Sequence, residues 1–205
     1  DTLIYTEPLS VGRSNYHIEL PAHVLYYNDA LVHGVKTDKR QIAPILTVAP
    51  RVSPYPPHKS YKVRLPIPVG YDEEKLVICH LGDTRTKACP TRLDGKWLEA
   101  EVRDFGSFTV VQDTTAPTVR PVGFKDGSKI RGDLLQLKMT DDLSGVKDYQ
   151  CYINGRWVLA EYDGKYNLMN IKGVRARLTE PRNTLRILLT DTLGNTREVS
   201  YTLLK

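Results

Sequence analysis

Prolines and glycines divide this chain into short runs that are rich in β-branched and aromatic residues. The sequence contains 13 Pro and 14 Gly, and its apolar residues almost never recur at the spacing of about 3.6 residues that an amphipathic helix requires. Short runs bounded by turn-forming residues are typical of β-strands. The sequence therefore predicts an all-β protein.

The positions of these runs predict two sets of strands. We expect strands at 16–20, 42–48, 61–65, 75–81, 97–102 and 108–112 in the first half, and at 118–122, 134–140, 148–153, 157–162, 184–190 and 198–204 in the second. The segment PAHVLYYNDALV alone favours a helical turn, and the proline-rich segment RVSPYPPHKSY is interpreted as a surface crossing. The spacing in the second half is typical of a β-sandwich.

A domain boundary is predicted near residue 113. A chain of 205 residues is long enough for two domains, and the polar, proline-bearing segment DTTAPTVRP separates two β-runs. We expect tandem β-sandwich domains, an N-terminal one at 1–113 and a second one at 114–205. Because the chain begins DTLIYT without Met, we also expect a processed form or a piece of something longer.

Composition and charge limit the partners. The chain is 40% hydrophobic and 26% charged, and it has no apolar run near the roughly 20 residues of a membrane helix. Residues 1–113 hold 14 basic and 14 acidic side chains, whereas residues 114–205 hold 15 and 10. This excess suits an anionic wall polymer or nucleic acid, but arginines scattered on strands usually form a solvated face. We therefore expect no nucleic-acid partner and no membrane span.

The three cysteines leave their redox state open. If residues 76–81 and 87–93 form a hairpin centred near Thr84, Cys79 and Cys89 face each other and a disulfide is possible, although reduced thiols fit equally well. Cys151 is expected to be a small buried residue.

An internal repeat links the two halves. DGKWLEAEV at 94–102 matches NGRWVLAEY at 154–162. Each begins with a turn dipeptide, Asp94 and Gly95 in the first and Asn154 and Gly155 in the second, and such dipeptides favour a type I′ hairpin turn. We expect both tryptophans to anchor equivalent hairpins by packing, with ligand stacking as the alternative.

Acidic residues near the turns of the second half are calcium candidates. Asp141, Asp142 and Asp191 could supply oxygen ligands if their turns meet at one end of a sandwich. The spacing is not that of an EF-hand, and TDDLSG is explained more simply by Asx and Ser turns that end a strand. We therefore predict neither a bound metal nor a cofactor.

Aromatic residues clustered in the second half suggest a binding surface. The candidates for a glycan platform are Tyr149, Tyr152, Trp157, Tyr162 and Tyr166. Side chains alternate between the two faces of a strand, so about half of them should belong to the core.

Catalytic motifs are missing from the sequence. His-Glu-x-x-His, His-x-His and His-x-x-x-Asp do not occur, and neither does the Gly-x-Ser-x-Gly elbow of a serine hydrolase. Convergence of distant residues remains the alternative, but we expect this chain not to be an enzyme.

The segments IELPAHVLYYNDAL, DGKWLEAEVRDFGSFTVVQDTTAPTVRP, MTDDLSGVKDYQCYINGRWVLAEYDGK and NTLRILLTDTLGN together resemble one family. It is the lysostaphin-like zinc metallopeptidases of Gram-negative gut anaerobes, which cleave peptidoglycan, and the resemblance is to their C-terminal accessory region. That region consists of two β-sandwich domains, of which the second is immunoglobulin-like.

The resemblance implies an accessory role in the cell envelope, that is, the periplasm or cell surface. This module would scaffold or target a peptidoglycan hydrolase, and its partners would be the catalytic domain of the same parent chain or cell-wall glycan and peptide. The zinc-binding motifs of that family are absent here, so no metal ligand carries over. The alternative is a free-standing surface adhesin or glycan-binding module.

Overall fold

The computed structural model describes residues 1–53 and 55–205, so Pro54 of the proline-rich crossing lies outside the described residues. The chain divides into two compact units, residues 1–113 and 114–205. The all-β prediction is confirmed, because helical structure in the described part is limited to 3₁₀ segments at Glu73–Lys75 and Arg175–Arg177. No helix among those residues is long and apolar enough to cross a bilayer.

The first unit contains two antiparallel sheets, with strand orders β1-β4-β5-β11-β7-β8 and β2-β3-β6-β10-β9. The strands are β1 (Thr2–Leu3), β2 (Leu9–Arg13), β3 (Tyr16–Leu20), β4 (Asp29–Lys36), β5 (Ile45–Pro50), β6 (Tyr61–Pro66), β7 (Leu76–Leu81), β8 (Thr86–Ala88), β9 (Thr91–Asp94), β10 (Trp97–Val102) and β11 (Gly106–Gln112).

The second unit also contains two sheets, with orders β12-β14-β18-β17 and β13-β20-β19-β15-β16. Its strands are β12 (Thr118–Val122), β13 (Ser128–Lys129), β14 (Leu134–Thr140), β15 (Val146–Ile153), β16 (Arg156–Val158), β17 (Ala160–Asp163), β18 (Leu168–Lys172), β19 (Arg182–Asp191) and β20 (Thr196–Leu204). Pairing is antiparallel apart from the short parallel contact of β13 with β20.

Each unit has its own hydrophobic core, to which both of its sheets contribute. In the first unit Ile18 and Val63 of one sheet and Ile78 and Phe108 of the other belong to one buried cluster. In the second unit a separate cluster combines residues such as Leu137 and Ile187. Burial alternates along the central strands, as in β6 and β19, because successive side chains point to opposite faces of a sheet. That the second unit is immunoglobulin-like stays a prediction.

Two segments differ from the expected secondary structure. The predicted helical turn overlaps β4, a strand that pairs with both β1 and β5. The single strand expected at 157–162 is interrupted at Leu159, where the chain leaves one sheet as β16 and enters the other as β17. Both differences arise from tertiary pairing, which overrides weak local preference.

The two repeated hairpins do not have the same turn. Ile153 pairs with Arg156, so Asn154 and Gly155 occupy the turn and both have positive φ, 51° and 75°. This is the pattern of a type I′ turn.

In the first copy Asp94 pairs directly with Trp97, so Gly95 and Lys96 form the turn. Gly95 has a φ of 60°, and Asp94 and Lys96 are not among the residues with positive φ. The type I′ prediction is therefore wrong for this copy: Asp94 stays in the ladder, and the turn has the positive first φ of type II′.

Gly155→Val should destabilise the second unit by about 1–2 kcal/mol, because a β-branched residue is strained at positive φ. Steric overlap with neighbouring atoms does not contribute, since a Cβ at Gly155 meets no atom within 4 Å. Urea unfolding followed by circular dichroism measures the loss. Gly132→Val is the matched control, because Gly132 is equally open and its φ is not in the strained range. Equal stability of the two variants would contradict the turn assignment.

Candidate functional site

The outer face of the sheet β13-β20-β19-β15-β16 displays a row of side chains across four strands. Trp157 pairs with Tyr152, Tyr152 pairs with Arg186, and Arg186 pairs with Ser200. Their neighbours Cys151, Ile187 and Val158 are buried in the core, so the alternation of a strand directs these four side chains outward. We call Trp157, Tyr152, Arg186 and Ser200 the aromatic row.

Contacts within the aromatic row hold Tyr152 in place and leave Trp157 accessible. The guanidinium carbon of Arg186 lies 4.6 Å from the centre of the Tyr152 ring, within range of a cation–π interaction. The Tyr152 hydroxyl donates a hydrogen bond to Gln150 Oε1 at 2.7 Å. The Trp157 side chain is 60% exposed. A large, exposed ring on the face of a sheet is suited to stacking against a ligand.

The other predicted aromatics do not join this row. Tyr162 lies on β17, in the other sheet, and its ring is 6.2 Å from that of Tyr149. The Tyr149 hydroxyl donates to the Ala160 carbonyl oxygen at 3.3 Å, and Tyr149 packs against the core. Tyr166 lies in the turn after β17, with the Lys165 ammonium 5.2 Å from its ring centre. The predicted platform of five residues is thus reduced to Tyr152 and Trp157.

The two tryptophans are not equivalent, contrary to the expectation from the repeat. The Trp97 ring is partly buried and meets the His17 ring edge to face at 4.6 Å. Trp157 has no such aromatic neighbour among the ring contacts of the described residues and is mostly exposed. The same local sequence therefore gives a packing residue in one unit and an accessible ring in the other.

A second row, which the sequence did not predict, crosses the outer face of the sheet β2-β3-β6-β10-β9. Its members pair in the order Gly12, His17, Arg64, Glu99 and Arg92. We call these five residues the charged row. The sequence shows the alternation of polar and apolar residues in β6 and β10. It does not show the strand pairing that brings Arg64 and Arg92 to either side of Glu99.

Glu99 is the centre of the charged row. It is 4% exposed and accepts hydrogen bonds from Arg64 Nε at 2.7 Å and from Arg92 Nη2 at 2.6 Å. Lys62 adds an ion pair at 3.5 Å. Burial opposes ionisation of Glu99, but the hydrogen bonds from Arg92 and Arg64 outweigh it, and the pKa of the carboxyl is lowered from its usual value. Cations from both neighbouring strands therefore surround one buried carboxylate, which is the arrangement of a structural network.

The calcium candidates lie in two turns that contact each other. The Thr192 N–H donates to the Gly145 carbonyl oxygen at 3.1 Å. Asp141 Oδ2 accepts the N–H groups of Leu143 and Gly145, at 3.1 and 2.7 Å. These bonds are those of an Asx turn.

Asp191 uses both carboxylate oxygens within its own turn. Oδ1 accepts the N–H groups of Leu193 and Asn195, and Oδ2 accepts from Asn195 Nδ2 at 2.7 Å. Asp142 is exposed. The turns do meet, as a calcium site requires, but the geometry of Asp141 and Asp191 is that of turn-forming carboxylates.

The three cysteines are free thiols. Cys79 pairs with Ala88 rather than with Cys89. The centre of the hairpin lies between Asp83 and Thr84 and not at Thr84, as the sequence predicted. The possible disulfide between Cys79 and Cys89 is therefore absent from the structure. Burial raises the pKa of both the Cys79 and the Cys151 thiol to about 12, so neither is a thiolate near neutral pH.

Comparison with known proteins gives one finding. A family model described as a Zu5-like domain matches residues 1–113, the same range as the first compact unit. None of the curated proteins matches the chain.

Glu99→Gln should destabilise the first unit by about 2 kcal/mol, because it removes charge-assisted hydrogen bonds to two guanidinium groups. Urea unfolding at pH 7 measures the loss. Glu101→Gln is the matched control, since Glu101 lies on the same strand, is exposed and forms no ion pair among the described residues. A Glu99→Gln variant as stable as Glu101→Gln would contradict a stabilising role for the charged row.

The same network predicts a dependence on pH. Because the pKa of Glu99 is lower in the folded state than its usual value of 4.5, its contribution is fully present above that value. The contribution is lost as pH falls through the folded pKa. The stability difference between wild type and Glu99→Gln should therefore shrink as the pH falls below 4.5. A difference that grows on acidification would contradict the prediction.

Removal of divalent cations should leave melting of the second unit unchanged, because Asp141 and Asp191 already accept N–H groups of their turns. Differential scanning calorimetry with EDTA, and then with excess calcium, provides the measurement. A melting temperature that falls with EDTA and recovers with calcium would instead support a site at these turns.

Proposed function

The chain belongs to the Zu5-like domain family through residues 1–113, and we propose that it is a non-catalytic binding module. In this proposal it serves a cell-envelope peptidoglycan hydrolase, which it scaffolds or targets to its substrate. The aromatic row is the surface that contacts cell-wall glycan.

The accessible Trp157 ring beside Tyr152 is the observation that carries the proposal. Sugar rings present flat apolar faces edged by hydroxyl groups, and an aromatic ring on a sheet face complements such a surface. Tyr152 and Arg186, which follow Trp157 across the sheet, supply polar groups on the same face. A binding surface of this kind needs a few convergent polar groups next to apolar area.

The envelope role is supported by the sequence resemblance and by charge. The segment MTDDLSGVKDYQCYINGRWVLAEYDGK, which contains Tyr152 and Trp157, is one of those that resemble the accessory region of lysostaphin-like peptidases. Residues 114–205 carry 15 basic and 10 acidic side chains, and this excess favours an anionic wall polymer at long range.

A free-standing adhesin or glycan-binding module is the second candidate, and the aromatic row favours it equally. The two functions differ in the parent polypeptide. The mass and upstream sequence of the native protein, isolated from its own cells with an antibody against residues 1–205, separate them. A larger chain with His-x-x-x-Asp and His-x-His upstream supports the accessory role, and a chain without a hydrolase domain supports the adhesin.

Trp157→Ala should weaken binding to purified peptidoglycan sacculi about tenfold, since one stacked aromatic ring contributes on the order of 1 kcal/mol beyond the area that it buries. Sedimentation of the chain with sacculi, with cellulose as a second insoluble glycan, measures the affinity. Thermal stability should change little, because the side chain is 60% exposed.

Tyr166→Ala is the matched control for this experiment. Tyr166 is 57% exposed but lies outside the aromatic row, so its loss should leave the affinity unchanged. Equal binding by wild type and Trp157→Ala would contradict the proposed contact, and so would an equal loss in the two variants.

A further inference from the structure

A cavity of about 510 Å³ opens at one end of the second unit. It lies between the hairpin turn of β15 and β16 and the segment that leads from the 3₁₀ turn Arg175–Arg177 towards β19. Its volume is in the range of small-molecule sites. None of the residues assigned to the aromatic row lines it.

The cavity has an apolar base and a polar rim. Ile153 and Val158 belong to the hydrophobic core and form the base. The rim carries Arg156 from the hairpin and Arg177 and Glu180 from the opposite segment. This combination suits a small molecule that has an apolar part and a charged group.

A hydrogen-bond network fixes the two walls of the cavity to each other. Asn154 Nδ2 donates to Asn183 Oδ1 at 2.8 Å and to Thr179 Oγ1 at 3.3 Å. Asn183 is 1% exposed, and its side chain also accepts from the Glu180 N–H at 3.1 Å and donates to the Glu180 carbonyl oxygen at 2.6 Å. The Thr184 N–H donates to Asn154 Oδ1 at 3.0 Å. The rim is therefore ordered before a ligand arrives, which reduces the entropy lost on binding.

The rim arginines are not neutralised within the described part of the chain. Among the described residues, neither Arg156 nor Arg177 takes part in an ion pair within 4 Å. This contrasts with Arg64 and Arg92, which share the carboxylate of Glu99. Two guanidinium groups beside an apolar base are the chemistry that recognises a carboxylate.

We propose that this cavity binds a small carboxylate-bearing ligand, with the carboxylate held by Arg156 and Arg177 and the apolar part resting on Ile153 and Val158. The carboxyl terminus of a short peptide and the carboxylate of an acidic sugar share this chemistry. Glu180 on the same rim disfavours ligands with more than one negative charge. The site is separate from the aromatic row, so this proposal does not depend on the proposed glycan contact.

Titration of the complete 205-residue chain, followed by NMR chemical shifts, tests the site with three probes. They are N-acetyl-alanyl-alanine, its C-terminal amide, and glucuronate. The free carboxylate of the dipeptide should bind at least tenfold more tightly than the amide, because the amide cannot accept two charge-assisted bonds from guanidinium. Shifts should be largest at Ile153, Val158 and Ala176.

Arg177→Gln should weaken binding of the free dipeptide at least tenfold. Arg175→Gln should leave the affinity unchanged, because Arg175 belongs to the same 3₁₀ turn but does not line the cavity. Both side chains are exposed, so both variants should fold, and their unfolding curves check this.

Binding of the dipeptide that depends on Arg177 assigns the site to peptide termini, and binding of glucuronate with the same dependence extends it to acidic sugars. Failure of both carboxylates to bind overturns the proposal. Equal affinity for the dipeptide and its amide, or equal loss in the Arg175 and Arg177 variants, overturns it as well.

Discussion

The pairing register of the strands, fixed by the burial of one face of each sheet, is the constraint on which the rest of the structure depends. Residues of one parity on β6, β10, β15 and β19 enter a hydrophobic core. A slip of one residue would move that set to solvent and the polar set into the core. Once the alternate side chains that face the core are fixed, those that face outward are fixed too. Side chains from distant segments then line up across the outer face of the sheet.

This constraint produces two outer faces of different character. In the first unit it places Glu99 between Arg64 and Arg92, and the buried carboxylate uses its hydrogen-bonding capacity within the fold. In the second unit it places Trp157, which is 60% exposed, beside Tyr152. A buried carboxylate paired with arginines contributes to stability, whereas an exposed aromatic ring is available for binding. For this reason the proposed glycan contact lies in the second unit.

The sequence predicted parts of this arrangement and missed others for identifiable reasons. Strands β10, β12 and β14 were expected with the bounds that they have, because each is a clear alternating or apolar run between turn residues. Strand β4 was missed because its apolar residues are mixed with Asp, His, Gly and Lys. Its hydrogen-bonded pairing with β1 and β5 stabilises the strand where local preference does not. The charged row was missed because the partners of Glu99 lie 7 and 35 positions away in the chain.

By itself the sequence determined the all-β class and the Asn154 and Gly155 turn, since these depend on local backbone preference and on the period of apolar residues. It also identified the dipeptide repeats, but it could not distinguish the two tryptophans that follow them. Only the tertiary structure decided that Trp97 packs against His17 while Trp157 stays exposed. It also decided that Arg156 and Arg177 share one cavity. The physical reason is that local preference acts over a few residues, whereas exposure and the meeting of charged groups depend on strand pairing between segments far apart in the chain.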